Sequence, residues 1–304
     1  MAIRHLEDLY TLIKGKGKKV SVALGEDAHT LEALARGISQ DLFSVVVFAR
    51  KSVLEDEAQK HNIDLSMFDT VWVSDELEAI EKAVKEVREM RANVLMKGSC
   101  SSANYLRGIL NKEWGLLPEG KLLSHALLVD ISLYHKLLMM SDGGVILKPT
   151  LENKVQQINY CVGLARRIGI ENPKVAIITA VETVNPKMQA TLDAAIITQM
   201  NRRGQIKNCI VDGPLAMDLA VSKEAAEIKH VDSIVAGDAD IIIFPDIETG
   251  NAAGKAFTHL CNAISGGILI GPDAPCVLAS RGDSIETKFF SIVFAIAVSN
   301  DLEA

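Results

Sequence analysis

A largely parallel α/β fold, divided into two open-sheet domains, follows from three features of the sequence. Short β-branched runs alternate with longer stretches of helical period, the pattern of strands covered on both faces by helices. At 304 residues the chain is about twice as long as one ordinary domain. The run Ser141-Asp142-Gly143-Gly144, followed by Pro149, interrupts the alternation in mid-chain and marks the crossing from one domain to the next. No long linker or low-complexity tract separates the halves, so they are expected to pack closely around an active-site cleft.

The elements follow in order. The first nineteen residues form an amphipathic segment and not a signal peptide, because His5, Glu7 and Asp8 divide its apolar positions. Strands are predicted at 19–24, 43–48, 71–73, 94–97 and 126–131, with helices near 28–38, 52–61, 75–90 and 102–111. Asp75 is an N-cap for the third of these helices, and Arg88 and Arg91 at its end suit the helix dipole. After the crossing come a helix at 151–168, strands at 175–179, 208–211, 240–244, 267–270 and 276–279, and helices near 187–202, 222–229 and 250–264. A last helix starts near Ser284. Its apolar run, 289–298, is too short to span a bilayer.

Composition excludes several classes of function. Aromatic residues make up only 5%, so the core must be mainly Val, Ile, Leu and Ala. A net charge of -7 argues against general nucleic-acid binding, which needs a basic surface to displace counterions. Cysteines 100, 161, 209, 261 and 276 have no C-x-x-C spacing, so neither disulfides nor zinc are implied; buried thiols in a reducing cytoplasm are expected. The histidines show no metal-ligand spacing and no G-x-S-x-G occurs, so no metal site is expected. After the first strand the sequence is Leu24-Gly25-Glu26-Asp27-Ala28, which lacks the dinucleotide fingerprint.

Three loops remain as candidates for chemistry. In Ala279-Ser280-Arg281-Gly282-Asp283-Ser284-Ile285-Glu286-Thr287 an apolar strand gives way to a helix. Free N–H groups, the positive dipole end and the Arg281 fork can converge there on a phosphate or carboxylate, with Gly282 allowing close approach. Asp283 with Glu286 also reads as a capping box, which needs no ligand but leaves Ser280 and Arg281 unexplained. The second candidate, Lys97-Gly98-Ser99-Cys100-Ser101-Ser102, leads into a helix carrying Arg107. It is an anion cradle or, with Ser102 as N-cap, a polar turn. The third comprises Asp212-Gly213-Pro214-Leu215 and the Pro245–Asn251 loop, with Asp246 and Asn251, at predicted strand ends, where open α/β sheets bind ligands.

At these positions the chain resembles the phosphate acetyl/butyryl transferase family, and its butyryl branch above all. The resemblance rests on Ser102-Ala103-Asn104-Tyr105-Leu106-Arg107 with Trp114-Gly115-Leu116, VDGPLAMDLAVSKEAA from Val211, GDADIIIFPDIETGNAAGK from Gly237 and APCVLASRGDSIETK from Ala274. It implies a C-terminal helix that returns to the first domain, giving 1–147 plus 273–304 as one domain and 148–272 as the other. It also implies a homodimer that uses acyl-CoA and phosphate without a metal. Ser280, Arg281 and Arg107 are then catalytic, and Ser99, Ser101, Ser102, Asp246, Asn251 and Gly282 line the substrate site. The acetyl branch has an aspartate, thought to take the thiol proton, where this chain has Thr287. Asp283 and Glu286 are the substitutes in reach.

Overall fold

The computed structural model describes residues 3–279 and 282–301, and it is α/β throughout. Two compact units make up the chain. The first joins Glu7–Leu123 to Ser265–Ala304, and the second joins Met1–Leu6 to Ser124–Ile264.

The first unit begins with α1 (Tyr10–Ile13), β1 (Lys19–Ala23), α2 (Ala28–Ser39), β2 (Ser44–Ala49) and α3 (Lys51–His61). It continues with β3 (Asp69–Trp72), α4 (Glu76–Arg88), β4 (Val94–Lys97) and α5 (Ser102–Ile109). In the second unit the chain forms β5 (Ser124–Asp130), β6 (Leu138–Ser141), α6 (Leu151–Arg167), β7 (Lys174–Ile178) and α7 (Gln189–Arg202). There follow β8 (Ile210–Leu215), α8 (Met217–Val221), α9 (Lys223–Ile228), β9 (Ile241–Ile243) and α10 (Ile247–Leu260). Then β10 (Ile264–Ile270), β11 (Cys276–Val277) and α11 (Ile285–Val298) return the chain to the first unit.

Strands of the first unit lie in the order β3-β2-β1-β4-β11-β10, with β3 to β11 parallel and β10 antiparallel to β11. The chain runs outward from β1 to β3 and then restarts on the other side of β1 with β4. That reversal is a topological switch point, and its carboxyl end is where such sheets bind ligands. Beyond its first turn helix α11 is apolar on every face but for Ser291, a composition that demands burial. Phe289, Phe290, Ile292, Val293 and Phe294 are each 0% exposed. The helix packs on α1, α2, β4 and β11.

In the second unit the order is β5-β6-β9-β7-β8, and Val129, Leu138, Ala176, Leu215, Ile242 and Phe244 share one core. Two expectations fail here. Residues 138–141 were not expected to form a strand, because Leu-Met-Met-Ser has neither β-branching nor alternation. They pair antiparallel with β5 and parallel with β9, buried on both faces. This pairing ties the chain to the strands of the second unit from Ser124 onward, and the compact units change over at 123/124 and 264/265, where the sequence reading put 147/148 and 272/273. The Asp212-Gly213-Pro214 segment is not a loop after its strand but part of β8. The register with β7 shifts there, and β8 is an outer strand of its unit, where a proline leaves no ladder bond broken.

Candidate active site

The loops that follow β1, β4 and β11 all leave the carboxyl ends of adjacent parallel strands. Tyr105, fully buried, fastens two of these strands: its hydroxyl lies 3.2 Å from the Leu95 carbonyl on β4 and 3.1 Å from the Val277 carbonyl on β11. The β1 and β4 loops press together. The N–H groups of Gly98 and Ser99 donate to the carbonyls of Ala23 and Leu24, and a Cβ on Gly98 would stand 2.0 Å from the Leu24 oxygen. Only glycine fits such an approach.

Beneath the β4 loop lies Lys97, 3% exposed, with Nζ donating to the carbonyls of Gly98 and Cys100, each at 3.0 Å. A cation is thus built into the floor of the loop. Burial pushes the Cys100 thiol up to about 12, so it stays protonated at neutral pH and is no nucleophile. In the sequence Lys97 is the charged residue that closes the apolar run Val94-Leu95-Met96 and opens the second candidate loop.

Ser101, and not Ser102, is the N-cap of α5: its hydroxyl accepts from the Asn104 N–H at 3.2 Å. Ser102 is exposed at the first helical position. Glu76, at the start of α4, accepts from the Ser101 N–H at 2.9 Å and from Asn104 Nδ2 at 3.0 Å. The other end of the Asn104 amide accepts from Arg107 Nη1 at 3.3 Å, and Arg107 itself is exposed. Ser99 is half-buried beside them. Nothing in the sequence distinguished Glu76 from an acid that merely suits the dipole of its own helix.

Ser280 and Arg281 lie outside the described residues; Gly282 is exposed and Asp283 half-buried. The expected capping box is replaced by another cap. Ser284 precedes the helix, and its hydroxyl accepts from the Thr287 N–H at 3.1 Å, because the helix begins one residue later than Asp283 would require. Glu286 is held by Arg36 Nη1 at 2.6 Å, and the same guanidinium lies 3.9 Å over the Phe289 ring. The Thr287 hydroxyl accepts from Ser284. Lys288, 3% exposed, donates to Asp27 Oδ1 at 2.8 Å and to Thr30 Oγ1 at 3.0 Å, tying α11 to the loop after β1. Burial pushes the Asp27 carboxyl up, but the hydrogen bonds from Lys288 and Thr30 outweigh it and hold the group below the usual carboxylate range.

Asp246 and Asn251 belong to the second unit. Asp246 caps α10, accepting from the Thr249 N–H at 2.8 Å and hydroxyl at 2.6 Å, and the hydroxyl bond above all lowers its pKa. Asn251 Nδ2 donates to the Gly143 carbonyl at 3.0 Å. Asp246 thus caps its own helix, and Asn251 joins α10 to the turn after β6. A shallow cleft of about 590 Å³ in the same unit is lined by Lys174, His230 and Asp238. It opens at the amino ends of β7 and β9, the wrong end of the strands for the chemistry. Among the described residues no His, Cys, Asp and Glu side chains cluster as a metal site.

The family model described as phosphate acetyl/butaryl transferase matches residues 73–296. The chain belongs to this family. Among its relatives, a phosphate butyryltransferase of Clostridium acetobutylicum is 42% identical over 98% of this chain and 99% of its own length. A phosphate acetyltransferase of Thermotoga maritima is 40% identical over 95% of this chain and 98% of its own. The crystal structure of a branched-chain phosphotransacylase from Enterococcus faecalis V583 superposes with a TM-score of 0.83 at 29% identity, covering 92% of this chain and 98% of that one. The matched span of the phosphate acetyl/butaryl transferase model takes in the β4 and β11 loops together with Glu76, which the sequence motifs did not include.

Proposed function

We propose that the chain moves a short acyl group, butyryl in preference to acetyl, between coenzyme A and inorganic phosphate. The reaction is acyl-CoA plus phosphate giving acyl phosphate plus free coenzyme A. The observation that carries this reading is the parallel pairing of β4 with β11, which sends the Ser99–Ser102 loop and the segment leading to α11 out of the same strand ends. In the reading, Arg281 and Arg107 hold phosphate and the oxyanion that develops on the carbonyl, and Ser280 donates a further hydrogen bond. Ser99, Ser101, Ser102 and Gly282 complete the phosphate site. Donors fixed at that charge supply the largest share of such catalysis, and bringing two bound substrates together supplies much of the rest.

In the direction of thioester synthesis the thiol sulfur attacks the acyl phosphate carbonyl, phosphate departs and the thiol proton must leave. Thr287 cannot take it at neutral pH, and Asp283 and Glu286, the latter paired with Arg36, are the carboxylates within reach. Asp246 and Asn251 drop out of the substrate site in this reading, since each has a structural partner. The working form is read as a cytoplasmic homodimer without nucleic-acid or membrane partners. Among the described residues no helix is long and apolar enough to cross a membrane.

Phosphate-dependent thiol release, followed with a thiol reagent across acetyl-, propionyl- and butyryl-CoA, tests the reading. Two methylenes at about 0.8 kcal/mol each predict a kcat/KM roughly tenfold higher for butyryl- than for acetyl-CoA. An acetyl preference of the same size would move the assignment to the acetyl branch, which the Thermotoga relative represents at 40% identity. The same release is expected to proceed undiminished in excess chelator, because the reaction as proposed places no metal between the substrates. Loss of activity in chelator with recovery on adding a divalent ion would refute that part.

A further inference from the structure

The coenzyme's thiol lies at one end of a long molecule, and its phosphorylated adenosine at the other needs its own site. From the carboxyl ends of β2 and β3, in the first unit, we infer that Trp72, Arg50 and Lys51 bind that phosphoadenosine end. The inference rests on the reading of the β4 and β11 loops as the reacting centre.

Trp72 closes β3 and is 43% exposed, an unusual position for the largest aromatic side chain in a protein with so few. It is in register with Ala49, the residue before Arg50, and the Val73 N–H donates to the Ala49 carbonyl at 3.0 Å. Lys51 Nζ lies 5.9 Å from the indole centroid. An exposed ring with a cation over one face leaves the other face for a purine and the cation for phosphate.

Arg50 is built for a ligand more than for packing. Behind it is Glu26, whose side chain is 1% exposed and accepts from Arg50 Nη2 at 2.6 Å, from Nε at 3.1 Å and from the Arg50 N–H at 2.5 Å. A carboxylate buried to this degree fixes the guanidinium plane. It leaves Nη1 without a partner among the described residues, while the side chain stays 45% exposed. The hydrogen bond that Arg50 donates to Glu26 above all raises the Arg50 pKa, so the group stays cationic. Arg50 also precedes α3 and offers its first turn no side-chain cap, so those N–H groups add donors beside the guanidinium. Glu55, 3.9 Å from Lys51 and exposed, is a weak competitor for that lysine.

Reach decides whether this surface suits the coenzyme. Three strand spacings separate β3 from β4, about 14 Å. The pantetheine arm between thiol and diphosphate has the backbone length of an extended peptide of four residues or so, roughly 15 Å. A thiol at the β4 loop therefore places the adenosine end over β2 and β3.

The test compares butyryl-CoA with S-butyryl pantetheine, which carries the same thioester without the nucleotide. Trp72→Ala is expected to lower kcat/KM for butyryl-CoA about tenfold, the size of one lost base–aromatic stack, and to leave the pantetheine value where it was. Trp72→Phe keeps a ring and should restore most of the loss. Lys51→Ala leaves the Glu26–Arg50 pair in place and should weaken butyryl-CoA alone, the more so at low salt. Equal losses on both substrates, or none on either, would overturn the inference. So would a change in oligomeric size with unaltered kinetics, which would make Trp72 a subunit contact. If the wild type released thiol from neither substrate, the transacylase reading would fail separately. Coenzyme A affinity measured by calorimetry on the same variants would then still decide for or against this site.

Discussion

Arg281→Ala is expected to lower turnover at least a hundredfold while far-UV circular dichroism and the melting transition stay as in the wild type. Removing one donor aimed at a developing oxyanion costs on the order of 3 kcal/mol of transition-state stabilisation, whereas an arginine in a connecting segment contributes little to folding. Arg281→Lys should recover only part of the rate, because an ammonium keeps the charge but not the planar fork that holds two phosphate oxygens at once. Arg107→Ala is the companion measurement. Arg107 is exposed and bonded only to Asn104 among the described residues, so its loss should likewise spare the fold. If both arginines act on one phosphate, the double variant will lose less than the product of the single losses. Wild-type turnover in Arg281→Ala would leave the junction before α11 with a structural role alone.

How much of this was legible beforehand depended on whether a local signal and the tertiary structure agreed. Residues 94–97 form a strand with the bounds expected, because β-branching, an apolar run and a following small-residue turn all point the same way. Asp75 caps α4 as expected, accepting from the Glu78 N–H at 3.0 Å. Where two hydroxyls, or an acid and a hydroxyl, stood side by side, local rules could not choose between them. Ser101 took the cap from Ser102, and Ser284 took it from Asp283, since a shift of one residue changes no composition. Residues 138–141 lack β-branching and alternation, and are held by pairing with β5, near in sequence, and with the distant β9.

The candidate site divides in the same way. The β4 loop and Arg107 were readable because strand, small residues and helix follow one another along the chain. Glu76 and the Asp27–Lys288 pair act across 25 to 261 residues of sequence separation, and no local pattern reports such contacts. Asp246 and Asn251 show the converse. A polar residue after a strand looks like a ligand, and only the structure reveals that Thr249 and Gly143 already occupy it.

The largest effect on stability is expected from Asp142→Ala. This carboxylate is 2% exposed and serves five donors: Ser124 Oγ at 2.7 Å, the His125 N–H at 3.1 Å, and the N–H groups of Gly144, Val145 and Ile146 at 2.7, 2.9 and 3.3 Å. It therefore fixes the turn after β6, and that turn seats α10, where a Cβ on Gly250 would stand 2.3 Å from the Asp142 carbonyl. Alanine leaves several backbone N–H groups buried without acceptors, each costing about 1–3 kcal/mol, so a loss on the order of 5 kcal/mol is expected even if water reaches some of them. That equals the whole stability of many domains, and the variant should be largely unfolded or insoluble. Asp142→Asn is the gentler probe. The Ser124 hydroxyl can turn to accept from the new amide, but whichever way the amide is placed its NH₂ faces backbone donors, so about 2–3 kcal/mol should still be lost. Denaturant midpoints for the wild type and Asp142→Asn measure this directly. A midpoint within error of wild type in Asp142→Ala would show that the turn holds without its carboxylate.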